Sequence, residues 1–128
     1  MTAPKRFSIN RRLRSFVYAI RGIKVLLQSQ HNAWIHAIAT ILVCIAGFAF
    51  HLSSIEWCMI VIAIMAVWTS EALNTSLELL TDLASPEIHP LAAKAKDVAA
   101  GAVLLASIGA AILGVIILLP HAWTMATR

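Results

Sequence analysis

The segment WCMIVIAIMAVWTSEALNTSLELLTD, residues 57–82, decides how this chain is read. It is apolar almost without interruption through Trp68, and then Glu71, Asn74, Glu78 and Asp82 follow at steps of three, four and four. On a helix of 3.6 residues per turn those steps keep all four side chains in one narrow sector. A polar stripe that begins where an apolar run ends marks a membrane boundary. Like charges at this spacing repel, and the chain commits three of its six acidic residues to the stripe. A cation, or basic side chains, is therefore expected opposite it.

The rest of the chain agrees. Of its 128 residues 60% are hydrophobic and only 12% charged, and the mean hydropathy is +0.84, which indicates a small integral membrane protein. An apolar layer of about 30 Å takes roughly 20 helical residues to cross. Three stretches suffice: 33–50, 57–73 and 98–119. None reads as a cleavable signal, since the first follows a long polar segment and the third closes the chain.

Seven of the ten Lys and Arg residues precede the first span: Lys5, Arg6, Arg11, Arg12, Arg14, Arg21 and Lys24. Lys94 and Lys96 lie between the second and third spans, and the loop His51 to Glu56 has no Lys or Arg. The positive-inside rule then predicts a cytoplasmic N-terminus, an external C-terminus, and a stripe that faces the cytoplasm. Cys44 and Cys58 have neither metal-ligand spacing nor a disulfide framework and read as small apolar-layer residues. The net charge of +4 comes with no nucleic-acid recognition motif. Anionic lipid headgroups explain it better.

Ile9, Leu13, Phe16, Val17, Ile20, Ile23 and Leu27 recur at helical spacing, with Arg11, Arg12, Arg14, Arg21 and Lys24 on the other face. This is an amphipathic helix over about 8–28, suited to lie in a membrane surface. Trp34, Trp57 and Trp123 fall near span ends, as an aromatic belt requires, while Trp68 is placed to pack near the stripe. Pro86 and Pro90 shape a loop between the second and third spans. The small residues at the start of the third span, with Gly109 and Gly114, predict a face buried against neighbouring helices. The expected fold is an all-α membrane protein: one domain over 1–128, with a surface helix and three transmembrane helices, the second continuing as a cytoplasmic helix to about residue 84.

The chemistry available at the cytoplasmic edge is dominated by oxygen. Glu71, Asn74, Glu78 and Asp82 are joined there by Glu87 and His89 from the loop and by Lys96 and Asp97 from the third helix. This set suits a hard cation such as Mg²⁺, bound by one or two carboxylates plus substrate phosphates. It lacks the Cys and paired His of a zinc site. Lys96 and the arginines can neutralise phosphate, and a spare carboxylate can take a proton from a hydroxyl. No G-x-x-x-x-G-K-[ST] loop or protein-kinase signature is present. Two other readings of the stripe are interfacial charges that set orientation and an ion-transporting subunit. The middle of each span has no ionisable residue, which counts against a transport pathway.

Glu71-Ala72-Leu73-Asn74-Thr75-Ser76-Leu77-Glu78, then Asp82, then Ala95-Lys96-Asp97 and Ala-Gly-Ala-Val at 100–103 resemble a prokaryotic diacylglycerol kinase or undecaprenol kinase. Arg14-Ser15-Phe16, Ala19, Gly22 and Asn32-Ala33-Trp34-Ile35-His36 extend the likeness over nearly the whole chain. The resemblance implies a homotrimer in the bacterial cytoplasmic (inner) membrane, with active sites between subunits. Each would transfer the γ-phosphate of MgATP to the hydroxyl of diacylglycerol or undecaprenol, giving phosphatidate or undecaprenyl phosphate.

By motif position, the resemblance makes Glu71 the general base and Glu78 a Mg²⁺ ligand, with Asn74 and Asp82 in support. It brings Arg11, Tyr18, Glu87, His89, Lys96 and Asp97 to the nucleotide, and Ser15, Asn32 and Trp34 to the lipid. The stretch from Asn32 to His36 looks more like the undecaprenol branch. Glu71 lies nearest the apolar layer and Glu78 two turns further toward water, so position along one helix separates base from metal ligand. One departure stands out. Where the family commonly carries a second metal-binding glutamate, on the nucleotide side of the site, this chain has Gln30, an amide that can ligate Mg²⁺ but adds no negative charge. A non-catalytic or transport-like protein of the same fold is the alternative that this departure favours.

Overall fold

The computed structural model describes residues 9–29, 31–87 and 89–127, apart from the side chains of Asn10, Arg11 and Ser29. It consists of four helices: α1 (Ile9–Ser29), α2 (His31–Ala49), α3 (Ser54–Ala84) and α4 (Pro90–Ala126). The last three are long and apolar enough to cross a membrane. Spanning segments in lipid must satisfy their backbone internally, which helices do. The chain is a membrane protein, and its apolar stretches sit inside longer helices. The 31 residues of α3 and 37 of α4 extend about 46 and 55 Å, well beyond an apolar core of about 30 Å.

The turn between α2 and α3 is closed twice over. His51 has φ 54°, its N–H bonds Phe48 O, and the next N–H, of Leu52, reaches Gly47 O at 3.1 Å. This is a Schellman end with histidine in the left-handed position usually held by glycine. Ser53 then caps α3: Glu56 N–H bonds Ser53 Oγ, while Ser53 N–H donates to Glu56 Oε2 at 2.8 Å, a reciprocal capping box. Across from it, His121 on α4 places Nε2 3.6 Å from Glu56 Oε1 and stacks on Phe50. Its Nδ1 is 2.9 Å from the Ile117 carbonyl, which can only accept, so Nδ1 carries a hydrogen. Leu52, Ile60 and Ile117 form the buried cluster at this end, with Trp57 and Leu113 against it. Trp57 packs inward on Phe48 and comes so close to Gly47 that an added Cβ would stand 2.8 Å from its ring. It is thus a packing residue, whereas Trp34 and Trp123 are exposed.

The opposite end, where α1 joins, is held differently. The connection between α3 and α4 is only residues 85–89, much shorter than the break between the two apolar stretches. Pro90 accounts for this: it occupies the first turn of α4, where its missing N–H costs nothing, and His89 caps the helix by accepting from Leu91 N–H at 3.2 Å. At its other end α4 continues through Pro120 to Ala126. The glycines of α4 make no close helix approach within this chain, since a Cβ on Gly101, Gly109 or Gly114 would meet nothing within 4 Å. The buried residues of α4 are Ala99, from the small-residue run, with Val103 and Ile117. Between α1 and α3 lies a cleft of about 360 Å³ lined by Ala19, Gly22, Ala72 and Ser76, with Leu26 buried beside it.

Candidate active site

All four members of the stripe lie on the second half of α3. Glu71 and Asn74 are buried, Glu78 is half-buried and Asp82 exposed, so burial falls along the stripe as α3 leaves the bundle. Glu71 is 0% exposed. Neither of its carboxylate oxygens has a hydrogen-bond partner among the described residues. Its neighbour across the helix interface is His36 on α2, whose Nε2 lies 3.9 Å from Glu71 Oε2. Leaving a buried carboxylate unpartnered is costly, so this position calls for a partner beyond the described residues.

One turn on, Asn74 Nδ2 donates to Glu78 Oε1 at 3.0 Å, while Asn74 Oδ1 is buried and unpartnered among the described residues. Thr75 Oγ donates to the Glu71 carbonyl at 3.0 Å, and Ser76 and Thr81 bond back to carbonyls one turn earlier in the same way. These hydroxyls are absorbed by the helix. A further turn on, Lys96 Nζ donates to Asp82 Oδ1, tying α3 to α4. This places one of the expected positive charges opposite the stripe. Trp68 Nε1 donates to Thr40 Oγ at 3.1 Å and fixes α2 against α3 one turn from Glu71, near the stripe as its position suggests.

The other candidates are spread around this core. Glu87 is exposed in the connecting loop, where Ser85 Oγ donates to its carbonyl, and Asp97 is exposed on α4. His89 is occupied as a cap through Nδ1. On α1, Ser15 and Tyr18 are exposed, and the Arg21 guanidinium lies over the Tyr18 ring at 5.8 Å. Asn32 precedes His36 by one turn and shares its side of α2, whereas Trp34, 58% exposed, lies two residues away on the other side. The Arg11 side chain and Gln30 fall outside the described residues. His36 enters the sequence only as part of the Asn32–His36 stretch, with no role of its own, and it is the register of α2 on α3 that sets it beside Glu71. Among the described residues no three His, Cys, Asp or Glu side chains converge closely enough to hold a metal unaided.

Residues 17–118 match the family described as prokaryotic diacylglycerol kinase. The chain belongs to that family. It is therefore a kinase of membrane lipids. An undecaprenol kinase of Bacillus subtilis is 43% identical over 115 residues, covering 90% of this chain and 94% of that protein. A diacylglycerol kinase of Synechocystis is 41% identical over 107 residues, 83% of this chain and 61% of the relative. A Helicobacter pylori diacylglycerol kinase is 30% identical over 104 residues, covering 80% of each. The kinase is thus similar over at least 80% of its length to enzymes named for two different acceptor lipids.

Proposed function

We propose that this kinase transfers the γ-phosphate of MgATP to the hydroxyl of undecaprenol or diacylglycerol, with Glu71 as general base. The observation that carries the reading is the gradient along one face of α3. A buried carboxylate, unpartnered among the described residues, stands at the apolar end, two turns from a half-buried carboxylate already oriented by an amide. Phosphoryl transfer needs mostly positioning and charge stabilisation, and a site at a membrane boundary lets a lipid hydroxyl meet a water-soluble nucleotide without either leaving its phase.

Glu71 takes the hydroxyl proton as the oxygen attacks the γ-phosphorus. Glu78 and the Oδ1 of Asn74 offer oxygen donors suited to Mg²⁺, and Asn74 Oδ1 has an unmet acceptor to give it. The ion, when bound, neutralises charge on the ATP phosphates. Two protein oxygens leave room for phosphate and water ligands, as this cation prefers. Asp82 holds Lys96 at the nucleotide end, where Glu87, His89, Asp97, Tyr18 and Arg11 border the ATP, with Gln30 at the position of the second metal ligand. Ser15, Asn32 and Trp34 border the lipid. The chain acts as one domain, assembled as a homotrimer in the bacterial inner membrane, its N-terminus cytoplasmic and α1 lying in the surface among acidic headgroups. Undecaprenol is the favoured acceptor, because the relative that matches almost end to end bears that name.

Radiolabelled ATP and each purified lipid in mixed micelles test the assignment. Label should enter lipid with the wild-type protein and Mg²⁺, faster with undecaprenol. No incorporation into either lipid at saturating Mg²⁺ would sink it, and faster incorporation into diacylglycerol would reverse the acceptor preference.

A further inference from the structure

α2 and α3 face each other across two rungs. Trp68 precedes Glu71 by three residues on α3, and Thr40 follows His36 by four on α2, so each helix presents both of its residues on one side. Trp68 Nε1 donates to Thr40 Oγ at 3.1 Å, whereas His36 Nε2 stops 3.9 Å from Glu71 Oε2, beyond hydrogen-bond length. One rung is bonded and the other is open. Packing within the chain bears on the ends of α2 rather than its middle. Its buried residues are Ala33 and Gly47, near the two ends, and between them it faces a groove of about 550 Å³, lined by Thr40 and Val43 on its own side and by Val67, Ala111 and Gly114 opposite. Thr40 and Trp68 lie within the apolar stretches 33–50 and 57–73, where no water replaces a lost acceptor. A slip of one residue moves α2 by about 1.5 Å, which breaks the bond and leaves the indole N–H unmet in hydrocarbon, at a cost. The Trp68–Thr40 bond therefore sets the height of α2 on α3.

We infer that Trp68 and Thr40 are positioning residues for phosphoryl transfer, an inference that rests on Glu71 being the base. Both act through that carboxylate, one turn away along α3, and take no part in bond making. Glu71 is 0% exposed, and neither of its carboxylate oxygens has a hydrogen-bond partner among the described residues. No bond among those residues aims the carboxylate, so the walls around it do. α2 supplies one wall through the side that carries His36, and the Trp68–Thr40 bond sets the height of that wall. Once the bond is lost α2 is free to shift, and the carboxylate turns away from its working direction. A misplacement of about 1 Å at a reacting group costs on the order of 10²-fold in rate. In the proposed site the nucleotide lies toward Glu78 and Lys96, two turns beyond Glu71, so the bond bears on the rate of transfer and not on nucleotide binding.

Full-length variants assayed with radiolabelled ATP and undecaprenol in mixed micelles test this. Thr40→Val removes the acceptor at nearly constant volume, Trp68→Phe removes the donor, and Thr40→Ser keeps the oxygen. Thr40→Val and Trp68→Phe are each expected to lower kcat about ten- to hundredfold while the ATP KM stays within about twofold. The double variant should fall no further than either single one, since both remove the same bond, and Thr40→Ser should keep most of the wild-type kcat. In a Glu71→Gln background Thr40→Val should cost nothing more, because a base already removed has no aim to lose. A wild-type kcat in Thr40→Val, whatever its Tm, makes the bond a structural tie and overturns the inference. So does a Thr40→Ser protein no faster than Thr40→Val, or the same fractional loss in the Glu71→Gln background. Should Thr40→Val fail to fold by circular dichroism, Trp68→Phe decides by the same kcat criterion. A Glu71→Gln protein that keeps the wild-type rate strikes the base reading, and the inference with it, before the variants at 40 and 68 are compared.

Discussion

Asn74 Nδ2 donates to Glu78 Oε1 at 3.0 Å, one turn along α3, while the oxygen of the same amide has no partner among the described residues. One side chain thus orients a carboxylate and offers a ligand beside it. Outer partners of this kind typically change metal affinity by about 10–100-fold when removed. Asn74→Ala is expected to raise the Mg²⁺ concentration for half-maximal turnover by about tenfold, read from initial rates across a Mg²⁺ titration at fixed ATP. An unchanged midpoint would detach Asn74 from the metal.

Glu71→Gln keeps the volume of a buried side chain and removes its ability to accept a proton. A positioned general base contributes about 10²–10⁴-fold, so kcat should fall by that order while the ATP KM stays within about twofold. Label transfer at the wild-type rate would remove Glu71 from the chemistry.

Lys96 and Asp82 form an exposed bridge between α3 and α4, and exposed pairs contribute about 0–1 kcal/mol. Lys96→Met should therefore leave the thermal midpoint nearly unchanged. Its effect should fall on the ATP KM, raised about tenfold through loss of a charged hydrogen bond. A large drop in Tm with an unaltered ATP KM would make Lys96 a structural tie.

His51 holds the left-handed position of the α2 end, with φ 54°. A non-glycine residue there costs on the order of 1 kcal/mol, so His51→Gly should raise the Tm by a few degrees. Gly47→Ala should lower it, because the new Cβ would stand 2.8 Å from the Trp57 ring, and overpacking costs about 1–3 kcal/mol. Thermal unfolding in detergent by circular dichroism gives both signs, and a neutral Gly47→Ala would show that Trp57 can move aside.

A carboxylate at position 30 tests the metal-ligand role proposed for Gln30. Gln30→Glu should lower the Mg²⁺ requirement for turnover in the titration used for Asn74. An unchanged or raised requirement would place position 30 away from the ion.

Much of this protein could be read from its sequence because lipid simplifies the problem. A run such as 57–73 has to be a helix, and the three- and four-residue steps from Glu71 to Asp82 then fix which side chains share a face. What could not be read depends on how one helix meets another. His36 and Glu71 are 35 residues apart, and no periodicity records that the register of α2 on α3 brings them together. The start of α4 did carry a signal, proline in a first turn behind a capping residue, but Pro90 was read together with Pro86 as part of a loop. Pro120 invited the same misreading at the other end, where the apolar stretch stops at Leu119 and the helix does not.

The double closure around His51 and Ser53, together with the His121 contact to Glu56, makes the bundle resemble a tuning fork welded at its base. The turn braces one end, while Glu71 and Asn74 toward the other keep unspent hydrogen-bonding capacity among the described residues. Movement that admits a lipid or a nucleotide is drawn from the least stabilised part of a fold. In the reading proposed above, substrates meet the bundle at the Glu71 end, so the closed turn around His51 and Ser53 is the fixed point about which the helices adjust.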